Sequence, residues 1–275
     1  MKTNKAIVMR SFGLLLILIF HLITFSFVFS YLFFILNIRL SFFAQVILSQ
    51  IFSFFLPFLI YLLITGKKIN DIIPLKTLSI KNTMFIFAIV FSAIPLANLI
   101  SFISSLFFTN QIENILLPAI TNYPLGLLLL SIAVTPSILE EIIFRGVFYK
   151  ELEKLPIKTA AILNGLFFGI IHMNFQQFFY TFILGILLTY IFYYTKSILA
   201  PMLAHFIFNG FSVVYTYWVL NNFNFTENRI NEIIDNQETS IFGIVFISLI
   251  LILCFFVFVN LMKKFVEYNT QKQNI

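Results

Sequence analysis

The sequence predicts an all-α polytopic membrane protein: one bundle of about eight transmembrane helices with both termini in the cytoplasm. Three observations lead there. Of its 275 residues, 60% are hydrophobic and only 10% charged, against roughly 45–50% and 25% in soluble domains. The apolar residues gather in eight runs, and about 20 such residues suffice to cross a bilayer core as a helix. Lys and Arg sit almost wholly in alternate connections, as the positive-inside bias predicts. With only 9 Gly and 8 Pro, disordered and collagen-like classes are excluded. The net charge of +6 is scattered between spans rather than gathered into a patch, so it reads as a topology signal and no nucleic-acid partner is expected.

The first run, 12–36, follows Lys2, Lys5 and Arg10 as a signal peptide would, but it is long and lacks a small-residue cleavage site, so a retained helix is expected. His21 lies midway along it. The second and third runs, 41–66 and 83–108, hold no charged residue. The fourth, 124–149, contains TPSILEEIIFRG and with it Glu140, Glu141 and Arg145. No other span holds an acidic residue.

The fifth run, 157–173, is the shortest and carries Asn164, Gly165, Gly169 and, near its end, His172. Its two glycines form a small-xxx-small pair suited to close helix approach. The sixth, 177–195, is apolar. The seventh, 197–220, holds His205 and Asn209 and ends in Tyr215, Tyr217 and Trp218, an interfacial aromatic belt. An acidic outer loop, 221–239, with Glu227, Glu232, Asp235 and Glu238, leads to the eighth run, 240–262, where the single cysteine, Cys254, is expected to pack toward lipid.

With eight spans, 14 Lys and Arg fall on the side of the N-terminus and two, Arg39 and Arg229, on the other; the remaining one, Arg145, is inside a span. That split supports the span count and places both termini in the cytoplasm.

Ionisable groups inside a membrane are costly and are by default functional. Glu141 and Arg145 are four residues apart, so they share a helical face and can pair. Glu140 points about 100° away and needs another helix, a proton or a water-filled cavity. The candidates on other helices are His172 and His205, with Asn209 one turn beyond His205 and Phe168 one turn before His172. Counted from Lys150, Lys158 and Lys196, Glu140, His172 and His205 lie roughly 15, 21 and 14 Å inside at 1.5 Å per residue, compatible with one layer. Pro136 is expected to kink the fourth helix just before the carboxylates and free backbone carbonyls toward a polar cavity.

A carboxylate and an imidazole can deprotonate water as a general base. A second imidazole and an amide can donate to a developing oxyanion. No serine is needed; Ser131 and Ser137 are expected to bond their own backbone. Two Glu and two His could instead hold a divalent cation, although no H-E-x-x-H pattern is present. A proton-coupled transporter also uses such groups, but the polar residues occupy one half of the chain, without matched broken helices.

Glu140-Glu141-x-x-x-Arg145, Phe168-x-x-x-His172 and His205-x-x-x-Asn209, in this order, resemble the three motifs of the CPBP family, the CAAX prenyl endopeptidases and bacteriocin-processing or immunity (Abi) proteins. The resemblance covers residues 124–220. It implies an intramembrane endopeptidase of the glutamic type that acts without a metal cofactor on a membrane-associated or lipidated peptide or protein. In that scheme Glu140 and His172 activate water, His205 and Asn209 hold the oxyanion, and Glu141 and Arg145 lend support. His21 matches no motif and is expected to pack or to form an interhelical hydrogen bond. The family also contains members proposed as regulators or bacteriocin self-immunity factors, the alternative function. A bias to Phe, Ile, Lys and Asn resembles proteins of AT-rich bacteria, so a bacterial cell membrane is the expected location, with peptide maturation, immunity or regulation ahead of prenyl-protein processing.

Overall fold

The computed structural model describes residues 2–109, 113–222 and 241–273, so the acidic residues of the expected outer loop, and Arg229, lie outside the described residues. Among the described residues eight principal helices follow the eight expected runs: α1 (Lys2–Ile35), α2 (Phe42–Thr65), α3 (Ile80–Ser105), α4 (Leu125–Leu152), α5 (Ile157–Ile171), α6 (Phe175–Thr195), α7 (Leu199–Asn222) and α8 (Ile241–Gln273). Seven are long and apolar enough to cross a membrane, and the chain is an integral membrane protein. Short helical turns at Ile69–Ile72 and Glu113–Asn122 lie in two of the connections.

The exception is α5. Its 15 residues extend about 22 Å, short of a core of roughly 30 Å, so the expected fifth span stops early. The cause is local. His172 ends the helix, Met173 takes a left-handed backbone (φ 48°), and the Asn174 side chain caps α6 by accepting from the amides of Gln176 and Gln177 at 2.9 and 3.3 Å. The chain thus reverses tightly and places His172 at the tip of a helical hairpin.

Glycines hold the two arms of that hairpin together. A Cβ added to Gly185 would stand 2.8 Å from the Gly165 Cα, and one on Gly165 would stand 2.7 Å from the Phe182 carbonyl oxygen. Such backbone contact is what small residues permit in membranes, as expected for Gly165 and Gly169.

Two helices are interrupted by π turns, each just before a proline. In α2 the Leu56 amide bonds the Ile51 carbonyl five residues back, so the Phe52 carbonyl would need the amide that Pro57 lacks. His21 on α1 fills the gap, Nε2 to the Phe52 oxygen at 3.0 Å. In α4 the Thr135 amide bonds the Leu130 carbonyl, and the Ser131 carbonyl is orphaned in the same way by Pro136. Gln50 on α2 donates to it at 3.1 Å. His21 is therefore an interhelical bond, as the sequence suggested, and the expected distortion at Pro136 takes the form of a π turn.

The basic residues collect at one end of the bundle. There Glu151, only 8% exposed, joins Arg10 of α1 at 3.2 Å, Lys67 after α2 at 2.9 Å and Tyr61 at 2.6 Å. The connection before α3 docks on the start of α7, the Ile198 amide bonding the Pro74 carbonyl at 3.0 Å. Asn82 of α3 and Asn269 of α8 exchange amide hydrogen bonds of 3.0 Å in a buried pair. At the opposite end Tyr215 and Trp218 are exposed as a belt requires, while Tyr217 packs inward with Leu128 and Val213. Cys254 is half-buried on α8.

Candidate active site

The fourth helix is π-helical again from Ile142 to Phe148. This wider stretch carries Arg145 into the centre of the bundle, where it is completely buried. Its Nη1 donates to Glu141 Oε1 at 2.9 Å, and its Nη2 to the Gly185 carbonyl of α6, also at 2.9 Å. The guanidinium lies 5.1 Å from the centre of the Phe168 ring on α5. The pairing of Glu141 with Arg145 expected from their spacing is present.

The same Glu141 oxygen accepts from Nδ1 of His205, 2.9 Å away on α7. Both side chains are almost wholly buried. This partnership was not expected: helical spacing reports only neighbours on one helix, and the 64 residues between Glu141 and His205 give a sequence no handle on it.

His172 is held differently. Its Nδ1 is 2.7 Å from the Phe168 carbonyl, which can only accept, so Nδ1 carries the proton and Nε2 keeps a lone pair when the ring is neutral. The Phe168 ring stands edge-on to both imidazoles, 5.0 Å from His172 and 5.7 Å from His205. A ring between two polar groups and against a cation is a spacer as much as a core residue.

Glu140 turns away from this network, as expected. It is half-buried, and its Oε2 has no hydrogen-bond partner among the described residues. Asn209 donates to the Ile132 carbonyl at 3.3 Å; that is the oxygen an α-helical amide at Pro136 would have taken. The amide's second N–H is left over.

A cavity of about 450 Å³ brings Glu140, Phe168, His172, His205 and Asn209 onto one wall. Glu141 and Arg145 lie behind it. No hydrogen bond among the described residues joins Glu140 to His172 directly. Ser131 and Ser137 bond the backbone carbonyls of Leu127 and Val134, in keeping with their expected role. Among the described residues no three His, Cys, Asp or Glu side chains converge as a cation cage.

The facing wall was missed by sequence reasoning. Phe42, Val46 and Gln50 of α2 and Asn98 and Ser101 of α3 line the cavity, and all lie outside 124–220. The one available signal was a polar residue in an otherwise apolar run. Gln50 and Asn98 stand out in that way, but neutral amides are common enough to pass as packing.

Residues 122–211 match the family model described as type II CAAX prenyl endopeptidase, Rce1-like. The match contains every residue of the three motifs and supports the CAAX protease family that they resemble. The Bacillus subtilis (strain 168) protein named "Putative membrane peptidase YdiL" is 29% identical over 98 residues, which are 35% of this chain and 40% of that protein. The chain thus aligns with well under half the length of this curated relative. No solved structure matches.

Proposed function

We propose that this protein is an intramembrane endopeptidase that hydrolyses a peptide bond of a membrane-associated peptide or protein with a water activated by Glu140 and His172. The observation that carries the reading is the shared cavity wall. A buried carboxylate oxygen with no partner among the described residues, a histidine with a defined basic nitrogen, and two further donors all border one space inside the membrane-spanning bundle.

The chemistry follows from these groups. A water bonded between the Glu140 carboxylate and His172 Nε2 loses a proton to this pair as its oxygen attacks the substrate carbonyl carbon. The carbonyl oxygen becomes an oxyanion and accepts from the free N–H of Asn209 and from Nε2–H of His205. His205 has that donor only when both its nitrogens are protonated. The Glu141 carboxylate, itself held by Arg145, accepts from Nδ1–H of His205 and fixes the direction in which Nε2 points. Collapse of the tetrahedral intermediate breaks the C–N bond, and the proton held by the base pair passes to the leaving amine.

The supporting groups act through position. Arg145 bridges α4 to α6 and Glu141 bridges α4 to α7, so the carboxylate and imidazole walls are fixed relative to one another. No serine or cysteine takes part in the scheme.

Wild type, Glu140→Gln and His172→Ala, purified in detergent, should be compared on a library of hydrophobic peptides, with and without a chelator. Cleavage by wild type that persists in chelator and disappears in both variants is the expected result. Cleavage that survives both substitutions would refute the assignment. A cellular phenotype retained by both stably expressed variants would favour the regulatory or immunity role.

A further inference from the structure

The cavity reaches one end of the bundle only. Its lining residues on α4 run from Ser131 to Glu140 and stop short of the basic end, where that helix finishes at Leu152. Beyond the catalytic groups, toward the basic end, Phe144, Arg145, Phe148, Phe167 and Leu188 are fully buried and close the floor. The outermost lining residues are on the far side. Phe42 is the first residue of α2, whereas Asn98, Gln177 and Thr216 stand about 26–27 Å from the basic ends of α3, α6 and α7. His172 also borders a second recess at this end, with Thr109 and Phe175.

The mouth is polar in a particular way. The side-chain amides of Asn98 and Gln177 line the cavity and make no hydrogen bond to other described residues. Each offers a donor and an acceptor, the pattern that an extended peptide backbone needs when it leaves helical structure.

The two ends differ sharply in charge. Of the described Lys and Arg outside Arg145, 14 belong to the end that the cavity does not reach and one, Arg39, to the end that it does. A bias of this size in short connections sets orientation, with the basic end in the cytoplasm.

From the cavity's direction and the charge asymmetry together, we infer that the active site opens to the extracytoplasmic side. Its substrate is then an outward-facing or exported peptide segment that enters extended between Asn98 and Gln177, not the cytoplasmic tail of a lipidated protein. The substrate class rests on the endopeptidase reading. The direction of the opening does not.

Two measurements separate them. In a Cys254→Ser background, single cysteines at Asn98, Thr216 and Lys154 should be probed in intact bacterial cells with a membrane-impermeant maleimide. Positions 98 and 216 should label in intact cells and Lys154→Cys only after permeabilisation. The reverse pattern, or no labelling of 98 and 216 even after permeabilisation, would overturn the inference. Quenched-fluorescent hydrophobic peptides with a charged, impermeant tail should then be cut by right-side-out vesicles, and by inverted vesicles only once detergent is added. Cleavage by inverted vesicles alone would overturn the orientation and leave the peptidase standing. Absence of cleavage even in detergent, beside the expected labelling, would remove the peptidase and the substrate class and leave the orientation.

Discussion

Glu141 Oε1 lies 2.9 Å from His205 Nδ1 and equally 2.9 Å from Arg145 Nη1, so one buried oxygen joins an imidazole on α7 to a guanidinium on its own helix. Adjacent carboxylates, Glu140 and Glu141, consequently have separate tasks. One faces the cavity and the other organises the groups around it.

That division predicts opposite signatures for two isosteric variants. Glu141→Gln leaves Arg145 buried without its counter-charge, a change that costs roughly 3–5 kcal/mol where a buried pair is broken. Its apparent Tm in detergent should fall markedly, along with activity. Glu140→Gln should keep the wild-type Tm and, in the proposed mechanism, lower kcat by about 10²–10⁴-fold, the usual worth of a general base. Equal thermal losses in both variants would refute the separation.

In the proposed mechanism Asn209→Ala removes one oxyanion donor, so it should lower kcat by about 10²–10³-fold with little change in KM. Steady-state kinetics on a single cleavable peptide reads the split. A rise in KM with unchanged kcat would make Asn209 a binding residue.

His21→Ala deprives the Phe52 carbonyl of its donor, and a backbone acceptor left unsatisfied among lipid chains destabilises the fold. Thermal stability should drop while kcat/KM stays at the wild-type value, because His21 does not line the cavity. A loss of activity in the folded variant would show that the α1–α2 lock reaches the site.

Gly185→Ala would place a methyl carbon 2.8 Å from the Gly165 Cα and 2.9 Å from the Phe168 Cβ. The α5–α6 hairpin must separate, and with it the carbonyl that accepts from Arg145. Poor folding yield and a lowered Tm are expected. Gly13→Ala, at a position with open space around it, should be silent in the same assays.

Much of the fold was legible because a bilayer imposes a single strong rule: backbone polar groups must be satisfied within a span, so length and hydropathy locate helices. The rule failed at α5, where the end is set by a capping asparagine and one left-handed residue rather than by polarity. Within the site, the Glu141–Arg145 pair and the outward turn of Glu140 could be read from helical periodicity. The Glu141–His205 bond, the Arg145 contact with the Gly185 carbonyl and the amide-lined wall from α2 and α3 could not, since they depend on which helices become neighbours. The π turns at Pro57 and Pro136 were half visible: proline shows that a carbonyl loses its donor, but not that His21 and Gln50 replace it.

The hydrogen bond between Glu141 and His205 spans 64 residues of chain, which bears on how the protein is made. During synthesis α4 emerges and must partition into lipid well before α7 exists. Over that interval Arg145 is the one partner Glu141 has on its own helix, and their pairing one turn apart lets the segment enter as a near-neutral dipole instead of two bare ions. When α7 arrives, His205 meets a carboxylate already oriented by Arg145. The buried ion pair thus serves first as a passport into the membrane and only later as a fixture of the finished site.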